Sequence, residues 1–366
     1  MQDEVFMRLA LDMAKSAAGQ TSPNPMVGSV VVKNDEIVGM GAHLKAGEPH
    51  AEVHALRMAG EKADGATIYV TLEPCSHHGR TPPCADAIVA AGISRAVIAS
   101  LDPNPLVAGR GVGKLKAAGI EVTVGVLEEE ARKLNEVFFH YISTGRPFVT
   151  VKTAMTLDGK IAAKTGHSQW VTGEAARREV HQLRHRHDAI LVGINTVIAD
   201  DPELTARLYQ TERQPVRVIL DSTLRMPLTA RVVTDGKAPT WVFTTRRAPL
   251  DKIEAIRRLG VQVLVLDAQV IEIGMLLDTL GQAGITSLLV EGGTGVNGAF
   301  FDARAIQKLI SYLACKLIGG AAAPVPFGGG GIAYMHEAVW LDDIEVRQVD
   351  RHDLRISGYP RWDMEQ

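Results

Sequence analysis

His50, Cys75 and Cys84 are the residues of this sequence best suited to hold a metal ion, and Glu52 is best placed to work beside it. They occur as His50-Ala51-Glu52, then Pro74-Cys75, then Cys84. A catalytic zinc takes three protein ligands and leaves a fourth position for water. One neutral imidazole and two thiolates supply that set. In the zinc proteases a glutamate directly follows the first histidine of His-Glu-x-x-His. Glu52 stands one residue further on, where it can carry protons without ligating. The chemistry on offer is hydrolysis by an activated water, with Glu52 as acid and base. Taken singly, these residues read as a capped surface histidine and buried apolar cysteines; their order and the adjacent prolines favour the metal. His54 reads as a packed helix residue rather than a fourth ligand.

A His-x-Glu followed by Pro-Cys and a second Cys marks the zinc-dependent base deaminases. That signature spaces its cysteines as Cys-x-x-Cys, whereas eight residues separate Cys75 from Cys84. The longer loop adds His77, His78, Gly79 and Arg80, which suits an anionic, phosphorylated substrate. A second motif, Gly293-Thr294-Gly295-Val296-Asn297-Gly298, spells G-x-G-x-x-G between an expected strand and an expected helix. No Asp or Glu lies about twenty residues on to hold a ribose hydroxyl, so the reading is phosphate binding without Rossmann topology. Residues 327–331 contain four consecutive glycines and read as a mobile loop, with a phosphate cradle as the second choice. His181, His185 and His187 alternate with arginines and read as a solvated helix face.

The elements that must position these groups follow from hydrophobic patterning. Residues 2–18 form an amphipathic helix rather than a signal peptide. Residues 27–32, Thr67–Leu72 and 96–100 read as strands, and residues 51–58 and 85–91 as helices. Pro49 and Pro82-Pro83 place His50 and Cys84 at helix starts, where partial positive charge lowers a thiol pKa. Ser143-Thr144-Gly145-Arg146-Pro147 has turn chemistry and marks a boundary, giving domains 1–146 and 147–366. The second domain repeats the α/β alternation, with strands at 148–153, 189–192, Val216–Leu220, 240–244, 261–266 and Ser287–Val290. A length of 366 residues suits two domains. A net charge of −3 argues against a nucleic-acid partner. Three cysteines make no disulfide framework, and no apolar run is long enough to cross a bilayer. The expectation is a soluble cytoplasmic protein.

Thr21-Ser22-Pro23-Asn24-Pro25-Met26-Val27-Gly28, His50-Ala51-Glu52, the whole stretch from Cys75 to Cys84, and Asp102-Pro103-Asn104-Pro105 closely resemble the bifunctional riboflavin-biosynthesis deaminase/reductase family. So do residues 151–162, Leu183-Arg184, Asp200-Asp201-Pro202-Glu203-Leu204-Thr205 and Val290-Glu291-Gly292-Gly293. The resemblance implies an α/β chain with an N-terminal cytidine-deaminase-like three-layer domain and a C-terminal dihydrofolate-reductase-like domain. It implies Zn2+ on His50, Cys75 and Cys84, with Glu52 as proton shuttle and Asn24 as an anchor for the pyrimidine. A structural turn at Pro23-Asn24-Pro25 is the competing reading of Asn24. The second domain would bind NADPH through Ala154, Trp170, Thr196, Asp200, Ser222, Gly293, Thr294, Gly295, Val296, Asn297, Gly298 and Ala299. Lys152, Ser168, Arg184, Leu204, Arg207 and Glu291 would line the substrate, a small phosphorylated pyrimidine. Arg184 and Arg207 suit its 5′-phosphate, a guanidinium fork matching the phosphate oxygens. The chain departs from the family at Cys315-Lys316 and near Ile306-Gln307-Lys308, away from this chemistry, and a homo-oligomer is expected.

Two other readings compete. One is a zinc deaminase of free or nucleic-acid bases with an accessory C-terminal domain; the acidic charge and the long cysteine loop oppose nucleic acid. The other is a binding protein with a structural zinc, which would want a fourth ligand that the sequence does not offer.

Overall fold

The computed structural model describes residues 2–76, 83–104, 108–208 and 213–362. The expectation placed on His77, His78, Gly79 and Arg80, and the Pro105 end of the Asp102–Pro105 motif, lie outside the described residues. Chain contacts divide the protein into two compact units, Met1–Gly145 and Arg146–Gln366.

The first unit runs α1 (Gln2–Lys15), β1 (Gly28–Lys33), β2 (Glu36–Ala42), α2 (Ala51–Ala59), β3 (Thr67–Leu72), α3 (Cys84–Ala90), β4 (Arg95–Ser100), α4 (Arg110–Ala117), β5 (Glu121–Val124), α5 (Glu128–Leu134) and α6 (Glu136–Thr144). Its sheet has the order β2-β1-β3-β4-β5, with β1 antiparallel to both neighbours and β3, β4 and β5 parallel. Helices cover both faces, which is why β3 and β4 read as unbroken apolar runs. Ile68, Val70 and Ile98 pack with Ala51, Ala55 and Ile88 on one side. Tyr69 and Val97 pack with Met7 and Leu11 of α1 on the other. This is a three-layer α/β sandwich, and the metal-ligand candidates sit at the ends of α2, β3 and α3.

The second unit runs β6 (Phe148–Thr156), α7 (Glu174–Arg186), β7 (Ala189–Gly193), α8 (Ile194–Asp200), β8 (Val216–Leu220), α9 (Arg231–Thr234), β9 (Thr240–Thr245), α10 (Leu250–Arg258), β10 (Gln262–Leu266), α11 (Ile273–Gln282), β11 (Ser287–Val290), α12 (Thr294–Asp302), β12 (Lys308–Ala314), β13 (Leu341–Gln348) and β14 (Asp353–Pro360). Its nine-stranded sheet has the order β10-β9-β8-β7-β11-β6-β12-β14-β13. Every pairing from β10 to β12 is parallel, and β14 and β13 add an antiparallel edge. Ile190, Ile219 and Val242 bury against one helical layer, and Leu191, Val218, Phe243 and Leu288 against the other. The strand order is not that of a Rossmann fold, in keeping with the missing ribose carboxylate.

Two sequence readings need correction here. Residues 327–331 are not a free loop, because α12 holds them at both ends. Gly328 N–H donates to Thr294 O at 2.9 Å, Asn297 Nδ2 donates to Pro326 O at 2.9 Å, and Gly330 N–H donates to Asp302 Oδ2 at 2.9 Å. Gly298 permits the approach, since a Cβ there would lie 2.5 Å from the Gly328 carbonyl carbon. Nor do the three histidines make one solvated face. His187, the C-cap of α7, is buried between Leu183 O at 2.7 Å and Thr150 Oγ1 at 3.0 Å. His181 faces a cavity described below, because α7 lies against the sheet along that side.

Candidate active sites

His50 is the N-cap of α2, in extended conformation, and Cys84 is the first residue of α3. Cys75 follows the end of β3. The loop between strand and helix therefore carries two ligand candidates and the neighbouring helix start carries the third. Their ligand atoms lie within 4.8 Å of one another. Cys84 Sγ is 3.3 Å and Cys75 Sγ 3.7 Å from His50 Nδ1, and the Cys84 N–H donates to Cys75 Sγ at 3.2 Å. Tetrahedral ligands on zinc lie roughly 3.5–3.8 Å apart, given its usual bond lengths to sulfur and nitrogen. The donor set and its spacing thus fit zinc.

The electrostatics agree. The Cys84 thiol and N–H, with His50, hold the Cys75 thiol down at about 4, against the opposing effect of burial. Cys75 and burial in turn push Cys84 up, so that without metal one negative charge serves the pair. Glu52, in the first turn of α2, is 3% exposed, and its Oε2 has no hydrogen-bond partner among the described residues. Burial pushes its carboxyl up to about 7. A buried carboxylate oxygen left without a donor is costly, and its presence beside a metal-ligand cluster is what a proton carrier requires.

Asn24 Nδ2 lies 3.1 Å from His43 Nε2, and His43 Nδ1 lies 3.2 Å from Pro49 O. The imidazoles of His43 and His50 meet edge to face at 5.3 Å. With Nδ1–H donating to Pro49, His43 is neutral and accepts from Asn24, and burial lowers its pKa accordingly. Asn24 also donates its N–H to Thr21 O at 2.8 Å, so it serves the turn as well. Nothing next to His43 in the sequence singles it out.

In the second unit a cavity of about 800 Å³ opens over the ends of β6, β7 and β11. Lys152, Ser168, Arg184, Leu204, Arg207 and Glu291 all line it. So do Ala154, Trp170, Thr196, Asp200, Gly293 and Asn297. Ser222, Thr294, Gly295, Val296, Gly298 and Ala299 do not. Val296 packs beneath Gly292, Gly298 packs on Gly328, and the Ser222 carbonyl accepts from Thr245 Oγ1 at 2.7 Å. Gly293 caps α12, and neither Gly293 nor Gly295 has an atom within 4 Å of where a Cβ would stand. This open helix start at the cavity edge fits a phosphate of a dinucleotide.

The cavity floor is charged. Glu291 accepts from Arg184 Nε at 2.7 Å and Nη2 at 3.1 Å, and from Lys152 Nζ at 3.4 Å. Burial would raise its carboxyl, but the charges of Arg184 and Lys152 outweigh that and hold it at about 2. Arg184 is therefore matched by a partner just past the end of β11. Arg207, which is 56% exposed on its side chain and reaches Glu203 only at 3.5 Å, is the freer cation. Its N–H donates to His181 Nδ1 at 3.2 Å, and burial with Arg184 and Arg207 pushes that imidazole down to about 4.

The Glu291 trio carries a prediction. The Glu291 pKa is lower folded than the usual 4.5. Its stabilisation is therefore complete above that value and is lost as pH falls toward 2, a span worth roughly 3 kcal/mol. Glu291→Gln leaves two half-buried cations without their carboxylate, costs up to about 3–5 kcal/mol at neutral pH, and flattens stability between pH 4.5 and 2. All four tryptophans lie in the second unit, so tryptophan fluorescence against urea at several pH values reads this unit alone.

Residues 147–352 match the model of the RibD C-terminal domain. Residues 1–100 match that of the cytidine and deoxycytidylate deaminase zinc-binding region. The riboflavin biosynthesis protein RibD of Bacillus amyloliquefaciens is 49% identical over 98% of this chain and 96% of its own. This chain belongs to the RibD family. A solved Acinetobacter baumannii RibD is 43% identical and superposes with a TM-score of 0.89 over 98% of this chain and 99% of that one. A Thermotoga maritima structure, described as a diaminohydroxyphosphoribosylaminopyrimidine deaminase/5-amino-6-(5-phosphoribosylamino)uracil reductase, is 38% identical with a TM-score of 0.86, covering 98% and 99%. RibD proteins are bifunctional enzymes of riboflavin biosynthesis, and both halves are present here. The cytidine-deaminase-like unit is a zinc hydrolase, and the dihydrofolate-reductase-like unit is an NADPH-dependent oxidoreductase.

Proposed function

We propose that residues 1–146 deaminate 2,5-diamino-6-(ribosylamino)-4(3H)-pyrimidinone 5′-phosphate at ring carbon 2, and that residues 147–366 then reduce its ribosyl group to ribityl. The buried Glu52 Oε2, without a hydrogen-bond partner among the described residues, beside three zinc-spaced candidate ligand atoms is the observation that carries the first step. His50, Cys75 and Cys84 would hold a zinc ion, which would supply a Lewis acid for the attacking water, and bound NADPH would supply the hydride. Glu52 takes a proton from the attacking water and gives it to the ring nitrogen, then moves the proton of the added hydroxyl to the amino group, which leaves as ammonia. Asn24, oriented by His43, holds the pyrimidine.

In the second unit Lys152 polarises the opened sugar while Glu291 and Arg184 keep its ammonium aligned. Arg207 meets the 5′-phosphate, and Ser168 and Leu204 complete the substrate wall. Ala154, Trp170, Thr196, Asp200 and the Gly293–Asn297 helix start receive the coenzyme. Thr294, Gly295, Val296, Gly298 and Ala299 support that start from within α12. The 2′-phosphate falls to Ser222 or Arg247, since Arg246 pairs with Asp267. Asp221, whose charge would oppose a phosphate, is fully buried and accepts from Met226 N–H at 2.8 Å.

A homo-oligomer goes with this reading, because β13 ends the sheet with Trp340, Ile344 and Val346 exposed on or beside it. No helix among the described residues is long and apolar enough to cross a membrane. The ligand thiols need a reducing compartment, which favours the cytoplasm.

The test is incubation with the diaminopyrimidinone phosphate followed by product mass analysis. Without coenzyme, an NH is exchanged for an oxygen and reaction stops there. With NADPH the product also gains two hydrogens. One charge-assisted contact to the 2′-phosphate contributes about 1.5–3 kcal/mol, so kcat/KM for NADPH exceeds that for NADH by roughly tenfold to a hundredfold. Equal values would mean that the 2′-phosphate is not read.

A further inference from the structure

Glu73 is buried, lies outside the proposed chemistry, and stands two residues before Cys75. Its N–H extends the β3–β4 pairing by donating to Ser100 O at 2.9 Å. Its side chain then turns to the start of α4. Oε2 accepts from the N–H groups of Gly109 at 3.0 Å and Asp102 at 3.3 Å, and Oε1 accepts from Val112 N–H at 3.1 Å. Gly109 is the N-cap of α4, so the carboxylate satisfies donors that a helix start leaves without intrahelical partners. The backbone of the ligand loop rests on the same turn. A Cβ on Gly111 would lie 2.1 Å from Pro74 O and 3.2 Å from Glu73 Oε1. On its other side Cys75 is fixed by α3, since Ala85 N–H donates to Cys75 O at 3.1 Å.

We propose that Glu73 is a positioning residue for zinc: by clamping α4 against Pro74 it fixes where Cys75 stands relative to His50 and Cys84. This rests on those three being the ligands. Cys75 has helices on both sides, and among the described residues Glu73 is the buried side chain that secures the α4 side. A glutamine cannot replace it, because its NH2 must face either Val112 N–H or the Asp102 and Gly109 pair, donor against donor. The supports behind metal ligands typically matter by 10–100-fold in affinity.

The test uses the full chain and three readouts. In Glu73→Gln, zinc passes to a competing chelator about tenfold more readily, and the cobalt(II)-substituted protein shows altered thiolate-to-metal and d–d bands. Gly111→Ala keeps the carboxylate but pushes Pro74 away, and gives the same two changes. NADPH-dependent reduction of the deaminated substrate stays at the parental rate in both. Coupling is reciprocal, so in the unaltered chain the Gly109 and Val112 amides exchange faster once zinc is stripped. This last measurement decides the matter even where a variant fails to fold. Unchanged zinc affinity and cobalt spectra in a folded Glu73→Gln, or amide exchange indifferent to zinc, would overturn the proposal. An unaltered chain that binds no zinc would overturn the ligand assignment with it.

Discussion

Glu52→Gln loses deamination by about 10²–10⁴-fold, the usual contribution of a positioned proton carrier, while the chain keeps its zinc and its reductase activity. The amide preserves the size and the first-turn position in α2, so the packing of Ala51 and Ala55 beneath it is undisturbed. His50, Cys75 and Cys84 keep their mutual spacing, because Glu52 is not among the clustered ligand atoms. What is lost is a carboxylate oxygen that is buried and has no donor of its own among the described residues, and so is available to take a proton. An amide oxygen cannot take it. Product mass analysis after incubation with the diaminopyrimidinone phosphate reads the first effect, and elemental analysis the second. Reduction of the already deaminated substrate reads the third, and it depends on a separate unit. Metal loss in this variant would turn Glu52 into a ligand, and surviving deamination would move the proton chemistry elsewhere.

That Glu52, His50, Cys75 and Cys84 could be picked out beforehand follows from how local their signals are. His50 and Glu52 share one helix start, and proline precedes His50, Cys75 and Cys84 in the sequence. β3, β8 and β11 have the bounds read from the sequence, because strands covered on both faces are short apolar runs ended by turn residues. β2 and β13 are not legible as strands in the sequence. Gly39 and Gly41 interrupt β2, and β13 is an exposed edge rich in acidic residues, so neither carries the apolar pattern. His43 and Glu73 are invisible for a different reason. Nothing around them in sequence marks them, and their roles come from partners brought close by the fold. Glu73 meets Val112 from 39 residues away, and Arg184 meets Glu291 from 107. The glycine motif shows both limits at once. Gly293 stands at a cavity edge as its spacing suggests, yet Gly298 is there to let α12 meet Gly328.

Cys84→Ser empties the metal site and unfolds the first unit at lower temperature, leaving the second unit as it was. Cys84 is 1% exposed and opens α3, and its Sγ is the candidate sulfur ligand nearer to His50 Nδ1. Serine is shorter-bonded, harder and not ionised at neutral pH, so it replaces a thiolate with a weak ligand. Structural zinc sites bind with about 10–16 kcal/mol shared over four ligands. Losing one good ligand then costs roughly 2.5–4 kcal/mol, or about 10²–10³-fold in affinity. Binding free energy of this kind is also folding free energy, and it belongs to the unit that holds the ligands. The apolar cluster of Ala85, Ile88 and Ile98 around α3 loses that anchor, and a hydroxyl is left buried where the thiolate met zinc. Elemental analysis reads the zinc, and calorimetry reads a lower first transition. Tryptophan fluorescence, which reports only on the second unit, stays at its parental midpoint. Full zinc occupancy after dialysis against a chelator would exclude Cys84 as a ligand. A tryptophan transition that falls with the first would mean that metal in one unit stabilises the other.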